Sequence, residues 1–283
     1  MHNLHPRDER RLTLAAFEGI RVRLNRHAGL WFALEMRATV ERRLRERLRA
    51  RGIASFEEYG QLLDSDEVEL EEAAESCTVN ETYTFRGTGQ LRAFRDGIVP
   101  RFAARDRISI WSAGCASGEE AYTLAAITVS SSQITPSRIK IFGTDISRRC
   151  IARARKGVYS PSSFREERPE LRYDQYFPKA EDGSRSASPE LRAVCHFKHA
   201  NLLDTAVGGF IDVIFCRNVL IHMGEKARRQ VVSGFLDRMS PGGFLILGHS
   251  ESLLKESAGF QPLELHDEIV YQKPDIMGPG GSR

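Results

Sequence analysis

No CxxC pair occurs in this chain. Its five cysteines, Cys77, Cys115, Cys150, Cys195 and Cys216, are scattered and odd in number. That pattern argues against a disulfide framework or a structural zinc site, and no metal is expected. No apolar run approaches the ~20 residues that a membrane-spanning helix needs. The segment Met1 to Arg11 is polar and lacks the apolar stretch of a secretion signal. The expectation is a cytoplasmic protein without direct membrane insertion. GxGxxG is absent, which removes support for a nicotinamide or flavin dinucleotide, and with it for an oxidoreductase. The net charge of +3 is too small to imply a nucleic-acid partner by itself. There are no internal repeats.

What is present suffices for a packed core. Apolar residues make up 41% of 283 residues, enough for one large or two modest domains. Residues 12 to 75 read as helical. Met36, Val40, Leu44 and Leu48 form an apolar stripe. Arg42, Arg45 and Arg49 fall on the opposite side, and Gly52 is placed to end that helix. Ser55 starts another, with Glu58 completing a capping box. The acidic stretch Asp64 to Glu75 offsets the arginines. Near residue 100 the pattern changes to strands alternating with helices, the signature of βαβ units on a parallel sheet. Strands are expected at 107–111, 139–143, 210–216, 244–247 and 268–272, and helices at 119–131, 147–156 and 225–239. Pro241-Gly-Gly243 reads as a turn. Residues 157 to 195 interrupt the rhythm and suggest an inserted subdomain or a long loop.

Two places carry chemistry. The loop Gly114 to Gly118 joins a strand to a helix, where open α/β sheets bind ligands beyond the carboxyl ends of their strands. Small residues there allow a ligand to approach the backbone. Glu119 and Glu120 open the following helix. Carboxylates at that point repel a pyrophosphate and suit an ammonium group, such as that of S-adenosylmethionine, or they simply stabilise the helix N-terminus. Asp145 ends the next strand. It is placed either to accept hydrogen bonds from a ribose or to cap the helix that follows. Asn80-Glu-Thr-Tyr-Thr-Phe-Arg86 lies between the two regions and by composition alone is a linker.

Six segments together resemble the CheR family of chemotaxis receptor methyltransferases. Asn80–Arg86 looks like the family's NETxFFR. Trp111-Ser-Ala-Gly-Cys-Ala-Ser-Gly-Glu-Glu-Ala-Tyr-Thr-Leu124 resembles WSAxxSxGEEPYS. Phe142-Gly-Thr-Asp-Ile-Ser147 matches the cofactor aspartate, and Asn201-Leu-Leu203 the NLL that follows an inserted subdomain. Phe215-Cys-Arg-Asn-Val-Leu-Ile221 is similar to FCRNVLIY, and Gly248-His-Ser-Glu-Ser252 to GHSE. They occur in the family's order. The resemblance implies an α/β fold: a Rossmann-like S-adenosylmethionine-dependent domain at 79–273, an all-helical receptor-facing domain at 1–78, and a small β-subdomain inserted at about 157–197. Residues 274–283 are expected to be a disordered tail, with no fused partner domain.

The resemblance also implies that Asn80, Thr82 and Arg86 reach the cofactor, that Glu119 or Glu120 binds its ammonium, and that Asp145 binds its ribose. Asn201, Leu202, Asn218 and Val219 would border its adenine. Its partner would be the helical cytoplasmic region of chemoreceptors, methylated on glutamate by a monomeric enzyme. Arg86 is the candidate for orienting the glutamate carboxylate. Arg42, Arg45 and Arg49 are the candidates for docking the receptor, set against a solvated face paired with the acidic stretch. The sequence departs from the pattern at Ala121 for proline, at Thr84 before Phe85, and at His222 for tyrosine. Two other readings are a scaffold that binds S-adenosylmethionine without turnover and a nucleic-acid methyltransferase.

Overall fold

The computed structural model describes residues 11–165, 173–204, 208–253 and 259–275. It divides into two compact units, one of Met1–Val79 with His222–Gln230, the other of Asn80–Ile221 with Val231–Arg283.

The first unit is helical: α1 (Leu14–Ala28), α2 (Arg37–Arg51), α3 (Phe56–Ser65) and α4 (Glu67–Cys77). Each boundary has a local cause. The Thr13 hydroxyl accepts from Ala16 N–H at the start of α1, and Ser55 accepts from Glu58 N–H at the start of α3. Gly29 and Gly52 end α1 and α2 at φ 73° and 68°, in the left-handed region where a side chain is strained. Val40, Leu44 and Leu48 are the buried stripe of α2, which packs against α4; Phe17, Ile20 and Leu24 are the buried face of α1, which packs against α3 and α4. Met36 lies in a 3-10 turn just before α2 and is only half-buried, so the stripe begins one turn later than its spacing suggests.

The acidic stretch does meet arginines, but not the three set against it. Glu69 is buried and accepts from Arg47 Nη2 at 2.6 Å, Arg47 Nε at 3.0 Å and the Tyr59 hydroxyl at 2.6 Å. Burial raises the Tyr59 hydroxyl pKa, and the hydrogen bond to Glu69 raises it further. Glu72 takes a second Arg47 nitrogen at 3.1 Å, Asp66 takes Arg51 at 2.7 Å, and Asp64 takes Arg23. Arg45 pairs with Glu41 on its own helix, while Arg42 and Arg49 are exposed.

The second unit is built on a seven-stranded sheet. Its strands are β1 (Ile108–Ala113), β2 (Ile139–Asp145), β5 (Cys195–His199), β6 (Ile211–Cys216), β7 (Met239–Leu247), β8 (Gln261–Leu265) and β9 (Glu268–Gln272), in the order β5-β2-β1-β6-β7-β9-β8. The first five are parallel; β9 and β8 add an antiparallel hairpin. Its helices are α5 (Thr88–Arg92), α6 (Glu119–Val129), α7 (Arg148–Lys156), α8 (Pro189–Val194) and α9 (Glu225–Arg238), the last beginning in the first unit. Every residue of β1 and β6 is buried, as in central strands covered on both faces.

Three expectations change. Pro241–Gly243 does not precede a strand but bulges within β7, where the register with β6 shifts between Ile211↔Met239 and Val213↔Phe244. The sheet resumes at Cys195, so the last residues of the span expected as inserted belong to β5, which pairs with Ile141–Asp145. The alternation of exposed His196 and Lys198 with less exposed neighbours disguised this strand, because an edge strand tolerates charge. The hairpin partner β8 was not anticipated, since Gln261–Leu265 carries a proline and a glutamate. Within the span, β3 (Val158–Tyr159) pairs antiparallel with β4 (Arg185–Ser186). Residues 166–172 of the span and 276–283 of the expected tail lie outside the described residues.

Replacing Arg47 with methionine would leave the buried Glu69 carboxylate with Tyr59 and only the more distant Arg51, at 3.7 Å. Breaking a fully buried pair costs ~3–5 kcal/mol. Arg47 is 23% exposed, so a loss of about 2 kcal/mol is expected here, read from urea denaturation of the Arg47→Met protein.

Candidate cofactor and active site

In the sheet order, the chain runs outward from β1 in one direction through β2 and β5, and from β6 in the other through β7. The crevice beyond the carboxyl ends of β1 and β6 is therefore the topological switch point, where such sheets bind ligands. The loop Gly114–Gly118 leaves β1 at this point. Gly114 has φ 79°, and a Cβ there would strike the Val219 side chain, which comes from the loop after β6. Gly118 has φ 94°, and a Cβ would lie 2.8 Å from Ala154 Cβ. Both glycines thus allow loops to approach more closely than a side chain permits.

Asp145 closes β2. Its Oδ2 accepts from Ala116 N–H and its Oδ1 from Ser147 N–H, each at 2.8 Å. It does not cap α7: Ser147 does, accepting from Cys150 N–H at 3.1 Å. The carboxylate instead ties the β1 loop to the β2 loop. Ala200 N–H, just beyond β5, donates to the Asp145 carbonyl at 3.0 Å, which brings Asn201 and buried Leu202 to the same end of the sheet. Asn201 Oδ1 accepts from Leu203 N–H at 3.1 Å.

The two glutamates at the start of α6 have different surroundings. Glu120 pairs with Arg217 Nε at 2.7 Å and accepts from Ser112 Oγ at 2.7 Å. Glu119 is 2% exposed and takes hydrogen bonds from Ser117 Oγ at 2.8 Å and Ser163 Oγ at 3.2 Å. No cation forms an ion pair with Glu119 among the described residues. Burial raises its pKa, against a smaller lowering by those hydroxyls and by Arg153 at longer range.

The segment Asn80–Arg86 is anchored beside them. Thr84 N–H and its hydroxyl both donate to the Ser163 carbonyl, at 2.9 and 2.7 Å. Phe85 N–H donates to Thr123 Oγ1 of α6 at 3.0 Å. Asn80 and Thr82 are half-buried in this segment. The Arg86 guanidinium donates to the Glu81 carbonyl at 3.2 Å and stacks 5.6 Å from the Tyr83 ring.

Asn218 and Val219 follow β6 in a loop whose backbone is organised by Glu251. One Glu251 oxygen accepts from Asn218 N–H and Gly248 N–H, both at 2.7 Å; the other accepts from Val219 N–H at 2.9 Å and Ile221 N–H at 3.3 Å. This holds Asn218 at φ 60°, an uncommon conformation outside glycine. Glu251 and Arg217 both lie in the quoted motifs, yet spacing assigned them no role, because most of their partners are distant in sequence. His222 falls in the first unit, where its carbonyl accepts from Trp31 N–H at 2.8 Å.

These features define an S-adenosylmethionine-dependent methyltransferase fold, and the residues fit that cofactor. Glu119, a buried carboxylate without an ion pair among the described residues, would receive the ammonium, and Asp145, which closes β2, would receive the ribose hydroxyls. Asn201, Leu202, Asn218 and Val219 would flank the base.

The CheR methyltransferase SAM-binding domain matches residues 80–269, and the CheR methyltransferase all-alpha domain matches 15–78. The chain belongs to the CheR methyltransferase family. It is 32% identical to chemotaxis protein methyltransferase 2 of Vibrio cholerae, over 87% of this chain and 88% of that one. It is 31% identical to the chemotaxis protein methyltransferase of Escherichia coli, over 85% of each. Among solved structures, the N-methyltransferase NodS of Bradyrhizobium japonicum with S-adenosyl-l-homocysteine aligns with 66% of this chain and 85% of that one, at TM-score 0.39 and 13% identity.

Because burial places the Glu119 pKa above the ordinary carboxylate value, its ionised form is lost on acidification sooner than that of a free glutamate. An ammonium ligand needs the ionised form. Calorimetric affinity for adenosylhomocysteine should therefore weaken as the pH falls from 8 to 5. Glu119→Gln should bind about tenfold or more weakly at pH 8 and lose most of this dependence.

Proposed function

We propose that this chain transfers a methyl group to glutamate side chains of chemoreceptors, forming carboxyl methyl esters, and that Arg86 orients the accepting carboxylate. The observation that carries this reading is the anchoring of the Arg86 segment to α6, Ser163 and Arg217, among the residues fitted to the cofactor. The names of the relatives, chemotaxis protein methyltransferases, support the receptor as substrate.

Bound S-adenosylmethionine supplies an electrophilic methyl group on a sulfonium. A glutamate carboxylate is ionised at neutral pH, its reference pKa being ~4.3, so the protein needs no strong general base. Its task is alignment, which contributes up to ~7–11 kcal/mol in well-oriented reactions. A planar guanidinium holds a carboxylate by two parallel hydrogen bonds. Arg86 is already restrained by the Glu81 carbonyl and Tyr83, so little rotamer freedom is lost when it engages substrate. Too tight a pair would stabilise the ground state and slow attack, and the exposed approach to a half-buried arginine suits orientation better than capture.

The receptor-facing surface is assigned to α2. Arg42 and Arg49 are exposed and carry no ion pair among the described residues, and Arg45 has only Glu41. A nucleic-acid substrate is disfavoured, because Arg47 and Arg51 of the same helix are neutralised by Glu69, Glu72 and Asp66. Charge reversal of Arg42 and Arg49 should raise the Michaelis constant for receptor about tenfold and leave adenosylhomocysteine affinity unchanged. Equal receptor kinetics at low and moderate salt would remove this surface from the reading.

With labelled S-adenosylmethionine and receptor-containing membranes, alkali should release the label as volatile methanol, since esters hydrolyse in base and N-methyl groups do not. Arg86→Ala should lose about 100-fold in rate, and Arg86→Lys should recover little, having the charge without the fork. Base-stable label, or label on RNA, would overturn the esterification. Cofactor binding without transfer would favour the scaffold.

A further inference from the structure

We infer that Arg217 is a positioning residue for Arg86 and that, held by its ion pair with Glu120, it fixes the substrate-orienting segment in place. This rests on the proposed role of Arg86. Arg217 follows β6 directly, and its side chain is 4% exposed, an unusual setting for a guanidinium. Nε is committed to Glu120 Oε2 at 2.7 Å, and Glu120 is itself fixed by Ser112 Oγ of β1. The outer nitrogen Nη1 donates to the Arg86 carbonyl at 2.6 Å and to Gln90 Oε1 at 3.0 Å. Gln90 Nε2 in turn donates to the Leu247 carbonyl, at the end of β7, at 2.5 Å. One side chain thus links three adjacent parallel strands, β1, β6 and β7, to the backbone of Arg86.

The backbone at this point shows how closely the parts are fitted. Gly87 has φ 79°, and a Cβ on it would lie 2.6 Å from Arg217 Nη1. Phe85, a bulky residue, is at φ 58° and its ring is buried. Such a conformation persists only where the surroundings over-determine it. Here Thr123 holds Phe85 N–H on one side of Arg86, and Arg217 holds the Arg86 carbonyl on the other. A buried ion pair adds little to stability in general, so its worth lies in the geometry that it specifies. Lysine preserves the charge opposite Glu120, but a single ammonium lacks the fork that spans Glu120 and the Arg86 carbonyl together.

The test uses the full-length protein with Arg217→Lys and Glu120→Gln, each alone and combined with Arg86→Ala. Arg217→Lys is expected to lower the turnover number ~10- to 100-fold, while the Michaelis constant for receptor stays within about threefold. In the Arg86→Ala background it should cost less than about twofold more, because the two residues act as a unit. Without any ligand, amide hydrogen exchange at residues 87–91 should accelerate at least ~10-fold while the β-sheet is unaffected. Should Arg217→Lys fail to fold, Glu120→Gln, which keeps shape and loses only charge, is expected to show the same ligand-free acceleration of exchange at residues 87–91 at smaller amplitude. Turnover within about twofold of the parent, unchanged exchange at 87–91, or a full multiplicative loss on top of Arg86→Ala would each overturn the inference. Arg86→Ala alone reports on the reading beneath it: full turnover there removes Arg86 from the reaction, and a slow Arg217→Lys protein alongside it would show that Arg217 acts elsewhere.

Discussion

Two hydrogen bonds of 2.8 Å, from Ala116 N–H and Ser147 N–H to the Asp145 carboxylate, join the loops after β1 and β2. A parallel sheet places its connections at alternate ends, so neighbouring strands deliver their loops to one edge without fixing them to each other. An anion accepting backbone N–H groups supplies that fixing and keeps the loops at a set separation. The small-residue turn Gly114–Gly118, the start of α6 and the position of Glu119 all follow from it. A neutral side chain at 145 would leave two amides of this buried corner less well satisfied.

The same device recurs around the site. Glu251 gathers four backbone amides from two loops, and Arg217 with Glu120 binds the Arg86 segment to the sheet. Buried charges are costly unless hydrogen-bonded, and here each has nearly saturated partners. Glu119 differs: it accepts from two serine hydroxyls, forms no ion pair among the described residues, and burial pushes its pKa up. That contrast gives two adjacent glutamates different surroundings, one ion-paired and one not. The helical unit uses charge similarly, with Glu69 shared by Arg47 and Tyr59 in the interior while Arg42 and Arg49 face solvent.

Much of this was legible in the order of residues. Short, mostly apolar runs marked β1, β2 and β6, because a strand covered on both faces favours apolar residues, as β1 and β6 are along their whole length. Ser55 and Gly52 marked helix ends, since capping needs a side-chain oxygen and a left-handed end favours glycine. The motifs placed Asp145, Glu119 and Asn218 at strand ends, and the absence of GxGxxG turned the cofactor away from dinucleotides. The edge strand β5 and the hairpin strand β8 escaped, because partial exposure lets polar residues into their pattern.

Sequence by itself therefore determined the class of fold, the cofactor and the residues at the mouth of the sheet, all of which depend on local pattern and residue type. Tertiary structure decided what each charge does. Glu119 and Glu120 are neighbours in the chain, yet one meets Arg217 from 97 residues away and the other does not. Asp145 stands three residues before the start of α7, and only its distance to Ala116 shows that it joins loops while Ser147 does the capping. The acidic stretch was visible, but which arginines it takes was set by the packing of α2 against α4. A charge acquires its partner, its protonation and its role only when folding brings distant segments within hydrogen-bond distance, and no spacing along the chain encodes that separation directly.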